Sequence, residues 1–531
     1  MMSLRLPKYA AWFHGRNPWT RLSEREMVRE GLHGPTAGAP QGFSPTGFLR
    51  EITQRPQSFH RREARRYPLF LVVAACTLLG GCMMGPNYQR PKVNTPPNYR
   101  GPVSPPPPQT STASLGNEKW WTVFHDPVLQ QLVRTALQQN YDVRIAASRI
   151  LQAQAQLHIT RSNEFPTVEA SANLLSERSP KINSFFPTYE LHTFELDPGV
   201  IWNLDFWGKY RRQTEAARDN LLETVWGRRA VMTSVVASVA TAYFQLRELD
   251  SALAISQRTL TSRRDSLHLT EVLAKYGSAS LLDLRQSQEL VDTAAEAIPQ
   301  YEQQIEQQED SIRDLLGENP GPIPRGLPLT QEPAPPTVPA GLPSELLDRR
   351  PDIREAEANL MAANADIGVA KADFFPNISL TAIGGLESYA LDRFFSFAQA
   401  GMWNATGSAT QTIFQAGALR AGLELSQSQE QQMLLSYEQT IKTALQQVSD
   451  ALIAYQKDRE FLKQQQALTN AAADADRLSY FLYRHGGVSY LQVLTSETNY
   501  FTGELNLAQA QLSVRLALVQ LYNALGGGWQ Q

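Results

Sequence analysis

Helical periodicity of hydrophobic positions is most extended between Gly417 and Leu525. This stretch contains no proline and keeps a helical pattern except at residues 485–487, where His-Gly-Gly interrupts it. One helix over residues 417–483 would be about 100 Å long, because an α-helix rises about 1.5 Å per residue. No single globular core needs an element of that length. The pattern therefore predicts a long helix, a glycine break and a shorter helix.

The same design occurs earlier in the chain. Four landmarks recur 209 or 210 residues later: a Phe-Pro pair, a glycine before the long helix, a glycine at its break and a Leu-Gly pair at its end. The pairs are Phe165-Pro166 and Phe375-Pro376, Gly208 and Gly417, Tyr276-Gly277 and His485-Gly486, and Leu316-Gly317 and Leu525-Gly526. A constant offset of this kind predicts an internal duplication.

Apolar residues in both long helices recur at alternating spacings of three and four. In the first copy they are Met232, Val235, Val239, Ala242, Leu246, Leu249 and Leu253. In the second copy they are Ile441, Leu445, Val448, Leu452 and Tyr455. Such a seam needs a partner helix along its length. The alternative is an ordinary amphipathic helix on a globular core, and the helix length argues against it.

Alternation of apolar and polar side chains, with a period of two, follows each Phe-Pro pair. It covers Val168 to Leu174 and, more clearly, Phe194 to Phe206 in the first copy. In the second copy it covers Ile378 to Glu387 and Gln399 to Phe414 less cleanly. Long strands with one apolar and one polar face are typical of a transmembrane barrel, with lipid outside and water inside. A hairpin of a soluble sandwich is the alternative.

Four strands per chain cannot close a membrane barrel, because the smallest such barrels have eight. The chain must therefore oligomerise. Two chains would give eight strands, whose interior side chains nearly fill the barrel, and three would give twelve, with room for water. The predicted fold class is an α+β membrane protein, in which duplicated helical hairpins form a periplasmic α-barrel and the strands join a β-barrel. This architecture indicates a conduit.

Charge changes the picture at the N-terminus. Residues 1–66 carry 12 Lys/Arg and 5 Asp/Glu, a net charge of +7 (12 minus 5), although the whole chain has a formal charge of -3. We interpret residues 61–81 as a lipoprotein signal peptide, in which four arginines precede an uncharged apolar run too short to span a bilayer comfortably. Residues 1–60 show no hydrophobic periodicity. We interpret them as an over-called start, meaning a start site assigned too far upstream, or as a disordered leader.

The signal ends in Leu79-Gly80-Gly81-Cys82, which resembles the lipobox of bacterial lipoproteins. Cys82 is the predicted acylated first residue of the mature chain; a buried free cysteine in a core helix is the alternative. Residues 82–118 are a predicted lipid-anchored, proline-rich linker. A second proline-rich linker at 320–343 is predicted to pass over the surface of the helices. These linkers bound the first structural repeat, 119–319, and the second, 344–529.

The first repeat should begin with a helix from about Val128 to Arg161. Asp126 directly before Pro127 is a typical helix start. We interpret His125 and Asp126 as capping residues and not as catalytic ones, because no nucleophile or second acid accompanies them.

Several segments carry specific motifs. They are CMMGPNYQRP from residue 82, WWTVFHDPVLQQLVRTALQQNYDVRIAASRI, WNLDFWGKYRR, GLPSELLDRRPDIREAEANLMAANADIGVAKADFFPNISL and LYNALGGGW. These resemble the TolC family of outer-membrane efflux ducts, in its NodT-type lipoprotein branch, over essentially all of residues 82–529. The resemblance implies a homotrimer with a twelve-stranded outer-membrane β-barrel, an α-helical periplasmic tunnel and an equatorial domain.

The resemblance also implies partners. They are a periplasmic adaptor (membrane fusion) protein, an inner-membrane RND-type pump driven by protons, and outer-membrane lipid. Drugs or other small molecules would leave the cell through this assembly. In the resembled family, the inner helix pair of the second copy closes the periplasmic end, and pore-facing aspartates there attract cations.

This chain departs from that acidic pattern. The matching positions after the glycine break hold Gln492 and Thr495, while Asp283 stands at the equivalent spacing in the first copy. We hypothesise a polar gate of low charge, closed by hydrogen bonds between three Gln492 and three Thr495. The other gate candidates are Tyr483, Arg484 and Glu497, which could pair across chains. The alternative is that all these residues only pack a helix turn.

No enzymatic chemistry is visible in the sequence. It has no Gly-rich phosphate loop, no paired Cys/His metal spacing and no Ser/His/Asp arrangement that exceeds chance. We therefore predict no catalytic residues, no metal, no nucleic-acid partner and no cofactor apart from covalent lipid on Cys82. Two other functions stay open. A periplasmic adaptor or tether should lack amphipathic strands, and a lipid-anchored enzyme or binding protein should show a compact domain with a convergent polar site.

Overall fold

The computed structural model describes residues 83–97, 99–100, 115, 119–180, 188–329 and 343–529. Cys82 lies outside the described residues, as do the predicted leader and signal peptide. Parts of both proline-rich linkers also fall outside them.

The first copy folds as helices around a two-stranded hairpin. In chain order its described elements are α1 (Trp120–Val123), α2 (Pro127–Gln139), α3 (Tyr141–Ser162), β1 (Thr167–Ser179), β2 (Tyr189–Leu204), α4 (Lys209–Lys275) and α5 (Leu281–Leu316). The carboxylate of Asp126 accepts a hydrogen bond from the backbone N–H of Val128 at 2.8 Å, and Pro127 occupies the first turn of α2. The predicted capping role of Asp126 is confirmed.

The single helix predicted for residues 128–161 is wrong. Asn140 divides it into α2 and α3, with a ψ of 133° that no helix residue adopts. The Asn140 side-chain oxygen accepts hydrogen bonds from the N–H groups of Asp142 and Val143, at 2.9 and 3.2 Å. The Asn140 amide donates to the Leu315 carbonyl at 2.9 Å. These bonds satisfy backbone groups freed at the break and tie it to the end of α5.

The second copy repeats this order. Its described elements are a 3₁₀ turn (Pro343–Glu345), α6 (Leu346–Arg349), α7 (Pro351–Ala372), β3 (Asn377–Ser388), α8 (Leu391–Phe394), α9 (Phe397–Ala400), β4 (Gly401–Thr410), α10 (Ala418–Arg484) and α11 (Tyr490–Ala524). β4 is shorter than the predicted strand over residues 399–414. Its pairing with β3 ends at Thr410, opposite Asn377, where β3 itself begins.

The predicted duplication is confirmed by the matching lengths of the helices. α4 and α10 both contain 67 residues, and α5 and α11 contain 36 and 35. Each long helix follows a glycine in left-handed backbone, with φ of 76° at Gly208 and 86° at Gly417. The breaks also use left-handed glycines, with φ of 73° at Gly277 and 74° at Gly486. A residue with a Cβ is strained in this conformation, which is why the landmarks are glycines.

The four strands form one antiparallel sheet in the order β1-β2-β3-β4. β2 and β3 pair at its centre, with Val200 opposite Ala382 and Trp202 opposite Leu380, so the two copies meet through backbone hydrogen bonds. β1 and β4 are the edges, and neither pairs a second time within the described residues. Their outer backbone groups need another partner.

The seams of both long helices enter one hydrophobic core. Val239 and Leu246 of α4 and Ile441 and Val448 of α10 are fully or almost fully buried there. α4 packs against α3, α5, α7 and α11, and α10 packs against α7 and α11. The partner helices that the seams require therefore lie within the chain. Among the described residues, no helix combines the length and hydropathy of a membrane span.

The second proline-rich linker was predicted to pass over the helix surface, but its described part is packed. Ile323 and Leu329 are buried in the hydrophobic core. Arg325 forms ion pairs with Asp250 of α4 and Glu309 of α5. The high proline content of this linker indicated a surface segment, but Ile323 and Leu329 anchor its described part in the core.

Asp219 of α4 generates a pH-dependent prediction. Burial, with nearby Glu215, raises the pKa of Asp219 to about 7. The folded state thus holds this proton more tightly than the unfolded chain, so stability is lost as pH rises from about 4 through 7. Asp219→Asn, which is neutral at every pH, should therefore raise the thermal midpoint above the wild-type value, and by more at pH 8 than at pH 5. At pH 8 it should stabilise the fold by roughly 1 kcal/mol or more per chain.

The matched control for this prediction is Asp265→Asn, because Asp265 is exposed on the same helix. Thermal unfolding in detergent at both pH values measures the effect. Equal midpoint changes for the two variants at pH 8 would contradict the burial argument.

Candidate functional site

The sheet has one face that is apolar across all four strands. One cross-strand row on it runs Val168, Val200, Ala382, Ala405, and a neighbouring row pairs Leu196 with Leu386. These side chains have little cover in the chain: Val168 is 72% exposed and Trp403 82% exposed. A continuous exposed apolar surface of this size marks contact with lipid or protein. Its period of two along long strands fits the outer surface of a membrane barrel.

The opposite face is polar. Ser171 donates a hydrogen bond to Asp197 at 2.5 Å, and Asn173 donates to Glu195 at 3.2 Å. Further along the sheet, the hydroxyls of Ser379 and Ser408 lie 2.7 Å apart. The predicted alternation of faces is therefore present in the structure. This face can line a water-filled passage.

An aromatic cluster marks the helix end of the sheet. Trp207, between β2 and α4, stacks on Phe375 with ring centroids 4.7 Å apart. The Trp207 indole N–H donates to the Pro376 carbonyl at 2.9 Å, and the Trp202 indole N–H donates to the Glu164 carbonyl at 3.2 Å. Indole rings with one polar end are typical of the boundary between lipid and water.

The first described residues of the chain bind beside this cluster. The N–H of Met84 donates to the Trp207 carbonyl at 3.1 Å. The buried guanidinium of Arg212 donates to the Met84 carbonyl at 3.1 Å and to the Asn87 side chain at 2.8 Å. We call residues 83–97 the N-terminal strap. The strap begins directly after Cys82 in the sequence, and its second residue, Met84, is the one bonded to Trp207.

The strap then runs along the second copy. At Gly85, which has a φ of 92°, an added Cβ would lie 2.5 Å from the Cα of Gly368 in α7. Arg90 forms ion pairs with Asp348 at 2.9 Å and Glu357 at 3.0 Å. The strap therefore connects α4 of the first copy with α6 and α7 of the second.

The seam of α4 changes character beyond Leu253. The same helical spacing continues, but its buried positions become largely polar: Ser256, Arg263 and Thr270 are 0%, 2% and 0% exposed, with Leu260 as the apolar exception. In α10, Gln465 and Thr469 are likewise buried, and both donate to the Gly503 carbonyl of α11. Toward the glycine breaks, polar side chains of the long helices thus share the packing with apolar residues of α5 and α11, such as Ala294 and Val493.

Four of the predicted gate residues lie around the glycine break of the second copy. Tyr483 and the exposed Arg484 end α10, and the rings of Tyr483 and Tyr490 are 5.4 Å apart. Gln492 and Thr495 are exposed on the first turns of α11. These two side chains are available for contact with another chain, as the gate hypothesis requires.

Asp283 and Glu497 make contacts within the chain. The Asp283 carboxylate accepts from the N–H of Ser280 at 2.9 Å, and the Ser280 hydroxyl accepts from the N–H of Asp283 at 3.1 Å, a capping box that begins α5. Glu497 accepts a hydrogen bond from the Ser266 hydroxyl of α4 at 2.9 Å. Burial raises the pKa of the Glu497 carboxyl. Both residues therefore stabilise helix ends or helix pairs of one chain.

Sequence reasoning missed a buried polar group beside Glu497. Arg263 donates to the Leu290 carbonyl of α5 at 2.8 Å and lies 4.9 Å from the ring centroid of Phe501. Burial also raises the pKa of Asp476, while Arg263 opposes that shift. The available signal was the spacing of Ser256, Arg263 and Thr270, which continues the apolar seam.

A cavity of about 380 Å³ lies between α5 and α11, near the same end of the helices. Arg263 contributes to its lining, with Glu289 and Leu290 of α5 and Thr498 and Phe501 of α11. Among the described residues, no three His, Cys, Asp or Glu side chains are grouped so as to hold a metal ion. The cavity is a groove between two helices with a mixed polar and apolar wall.

A sequence model of the outer membrane efflux protein family matches this chain over residues 132–318 and 342–527. The two matched segments correspond closely to the two copies seen in the structure. Together they cover well over half of the chain.

Two curated relatives are similar along nearly their whole length. The probable efflux pump outer membrane protein TtgC of Pseudomonas putida is 36% identical over 467 residues, which cover 87% of this chain and 96% of the relative. The cation efflux system protein CusC of Escherichia coli K12 is 32% identical over 464 residues, which cover 86% and 98%. The solved open state of the Neisseria gonorrhoeae MtrE outer membrane channel is 31% identical with a TM-score of 0.77, covering 85% of this chain and 99% of that one.

Arg212 should hold the N-terminal strap in place. Arg212→Ala removes hydrogen bonds to Met84 and Asn87, so amide exchange in residues 83–97 should accelerate about tenfold or more, as expected when local opening becomes about 1.4 kcal/mol easier. Hydrogen–deuterium exchange of the purified protein measures this. Arg264→Ala, at an exposed position of the same helix, is the control. Unchanged exchange in the strap of the Arg212 variant would show that other contacts suffice.

Proposed function

The chain belongs to the outer membrane efflux protein family and is an outer-membrane exit channel of an efflux system; we propose that it works as a homotrimer with two protein partners. The partners are a periplasmic adaptor (membrane fusion) protein and an inner-membrane RND-type pump. The pump supplies the energy, and the duct conducts drugs or other small molecules passively. We further propose that the chain itself has no catalytic activity. The predicted fold class is confirmed by the likeness to solved outer membrane channels.

One observation carries the trimer proposal. The sheet has a lipid-compatible face, a polar face and two edges without a second partner among the described residues. In a membrane, unpaired backbone groups at such edges are very costly, so β4 of one chain must pair with β1 of another until the barrel closes. Three copies give twelve strands, which leave space for water inside. An adaptor or tether has no need of such strands.

We propose that Cys82 carries covalent lipid in the outer membrane. Cys82 itself lies outside the described residues, but Met83 and Met84 follow it directly. Met84 is hydrogen-bonded to Trp207, at the aromatic end of the sheet. The strap therefore leads from the lipid boundary, which is where an acylated first residue has to begin.

The adaptor contact is proposed at the glycine-break ends of the helices. Large apolar side chains are exposed there on both copies, among them Tyr276 and Leu281 in the first and Phe481 and Leu491 in the second. Exposed apolar side chains around a helix end suit a helical protein partner. The groove between α5 and α11 provides a concave surface beside them.

The orientation of the sheet generates a matched pair of variants. Ala405→Arg places a charge on the apolar face, where it should cost about 2–4 kcal/mol near the bilayer midplane and reduce trimer yield. Thr406→Arg places the same charge on the polar face and should be tolerated. Trimer yield in detergent extracts and accumulation of a dye and antibiotic panel in a deletion strain measure both variants. Equal behaviour of the two variants would contradict the assigned faces.

The neutral gate generates a conductance prediction. Wild-type channels in planar bilayers should be only weakly blocked by divalent cations, because Gln492 and Thr495 carry no charge. The double variant Gln492→Asp with Thr495→Asp brings six carboxylates together in a trimer, so block should occur at roughly tenfold lower cation concentration.

Gln288→Glu, at an exposed position of α5, is the control for the gate experiment. It should leave the block unchanged. Strong divalent block of the wild-type channel would refute a gate of low charge at these positions.

A further inference from the structure

The connection between β3 and β4 folds back onto the apolar face of the sheet. Phe394 of α8 is buried against Phe194 of β2, with ring centroids 6.3 Å apart. Phe194 belongs to the apolar face, because it lies opposite Leu174 and two residues from Leu196. The one-turn helix α8 is therefore attached to the outer surface of the sheet.

Gly401 shows that α9 follows the same course. Gly401 begins β4 opposite Leu386, a residue of the apolar face. A Cβ added at Gly401 would lie 2.4 Å from the carbonyl oxygen of Phe397 and 3.3 Å from its ring. Since that Cβ would point outward from the apolar face, Phe397 lies over this face too. Only glycine leaves room for this approach.

The side chains around these contacts form an exposed aromatic surface. Phe395 is 79% exposed and Phe397 78% exposed, and Tyr389 and Leu391 of the same connection are also exposed. Phe395 packs edge-on against Phe394, with ring centroids 5.1 Å apart. Trp403, two residues into the strand from Gly401, continues the surface onto the sheet. We call residues 389–397 the aromatic loop.

The aromatic loop lies at the outer border of the apolar band. Along β2 the band extends over eleven residues, from Leu204 beside the helices to Phe194. These residues span about 33 Å along the strand. With a tilt of 35–45° that becomes about 25 Å of height, the thickness of the apolar band of a membrane barrel. Beyond Phe194, the same face turns polar, with His192 bonded to Ser176 and Glu190 paired with Arg178.

We propose that the aromatic loop is inserted into the outer leaflet of the membrane and contacts its lipid there. Its exposed rings form the outer aromatic border of the sheet, opposite the border formed by Trp202 and Trp207. The inference rests on the membrane location of the exit channel. Its other premise is the continuity of the loop surface with the lipid face. The loop would thus stand beside the channel mouth and not across it.

A nitroxide probe tests this placement in the full chain. Phe397→Cys is spin-labelled and reconstituted into vesicles of phosphatidylethanolamine and phosphatidylglycerol, and collision with oxygen is compared with collision with the water-soluble complex Ni-EDDA. Ala405→Cys on the apolar face and Thr406→Cys on the polar face are the references. We expect Phe397→Cys to favour oxygen several-fold, as Ala405→Cys does. Wild-type protein taken through the same labelling gives the background from Cys82.

Two results would overturn the proposal. A Phe397→Cys label that favours Ni-EDDA, as Thr406→Cys should, places the loop in water. A label shielded from both reagents places it under protein, such as a neighbouring chain. If Phe397→Cys fails to fold, Phe395→Cys takes its place, because that side chain is equally exposed. If the two reference labels themselves do not differ, the assignment of a lipid face and a water face to the sheet is wrong. That result contradicts the proposed channel wall and not only the placement of the loop.

Discussion

A sheet with one apolar face, one polar face and two open edges cannot be stable by itself. The apolar face needs lipid, the polar face needs water, and the edges of β1 and β4 need backbone partners that the described chain does not supply. Only a closed ring in a membrane meets all three demands at once. The ring also positions the long helices, because each strand pair continues into α4 or α10 through a left-handed glycine. Four strands per chain thus restrict the barrel to multiples of four strands, and the number of chains sets the width of the bore.

The periodic parts of this chain were predictable from sequence. Regular spacings of apolar residues predict the two 67-residue helices, their glycine breaks and the apolar and polar faces of the strands. The exceptions depend on single side chains with distant partners. Asn140 splits a helix because it can bond the end of α5, and Ile323 buries a linker because the core offers it a place. Local sequence patterns do not predict contacts with such distant partners.

The candidate gate was only partly predictable for the same reason. Gln492 and Thr495 were located by the resemblance to the family, as the positions that match its gate aspartates when counted from Gly486, and the structure exposes both. Glu497 lies two residues from Thr495, but it turns inward to Ser266, and the guanidinium of Arg263 lies in the same buried region. Successive side chains on a helix point about 100° apart. An error of one or two residues in assigning the helix face therefore turns a predicted pore-facing residue into a buried one. The buried polar seam was visible as spacing, but its chemistry was not.

The buried interface of α4 changes from apolar at Val239 and Leu246 to largely polar at Ser256, Arg263 and Thr270. The two parts of the helix therefore differ in how readily they separate from the neighbouring helices. A dry, interlocked interface resists separation because parting it exposes apolar surface and creates voids. An interface of hydroxyls, amides and a guanidinium can exchange its bonds for water at modest cost. α4 is therefore held most firmly in its middle, and its packing toward the glycine break is easier to open. Helix separation near the glycine breaks would thus leave both the dry middle interface and the sheet beyond it undisturbed.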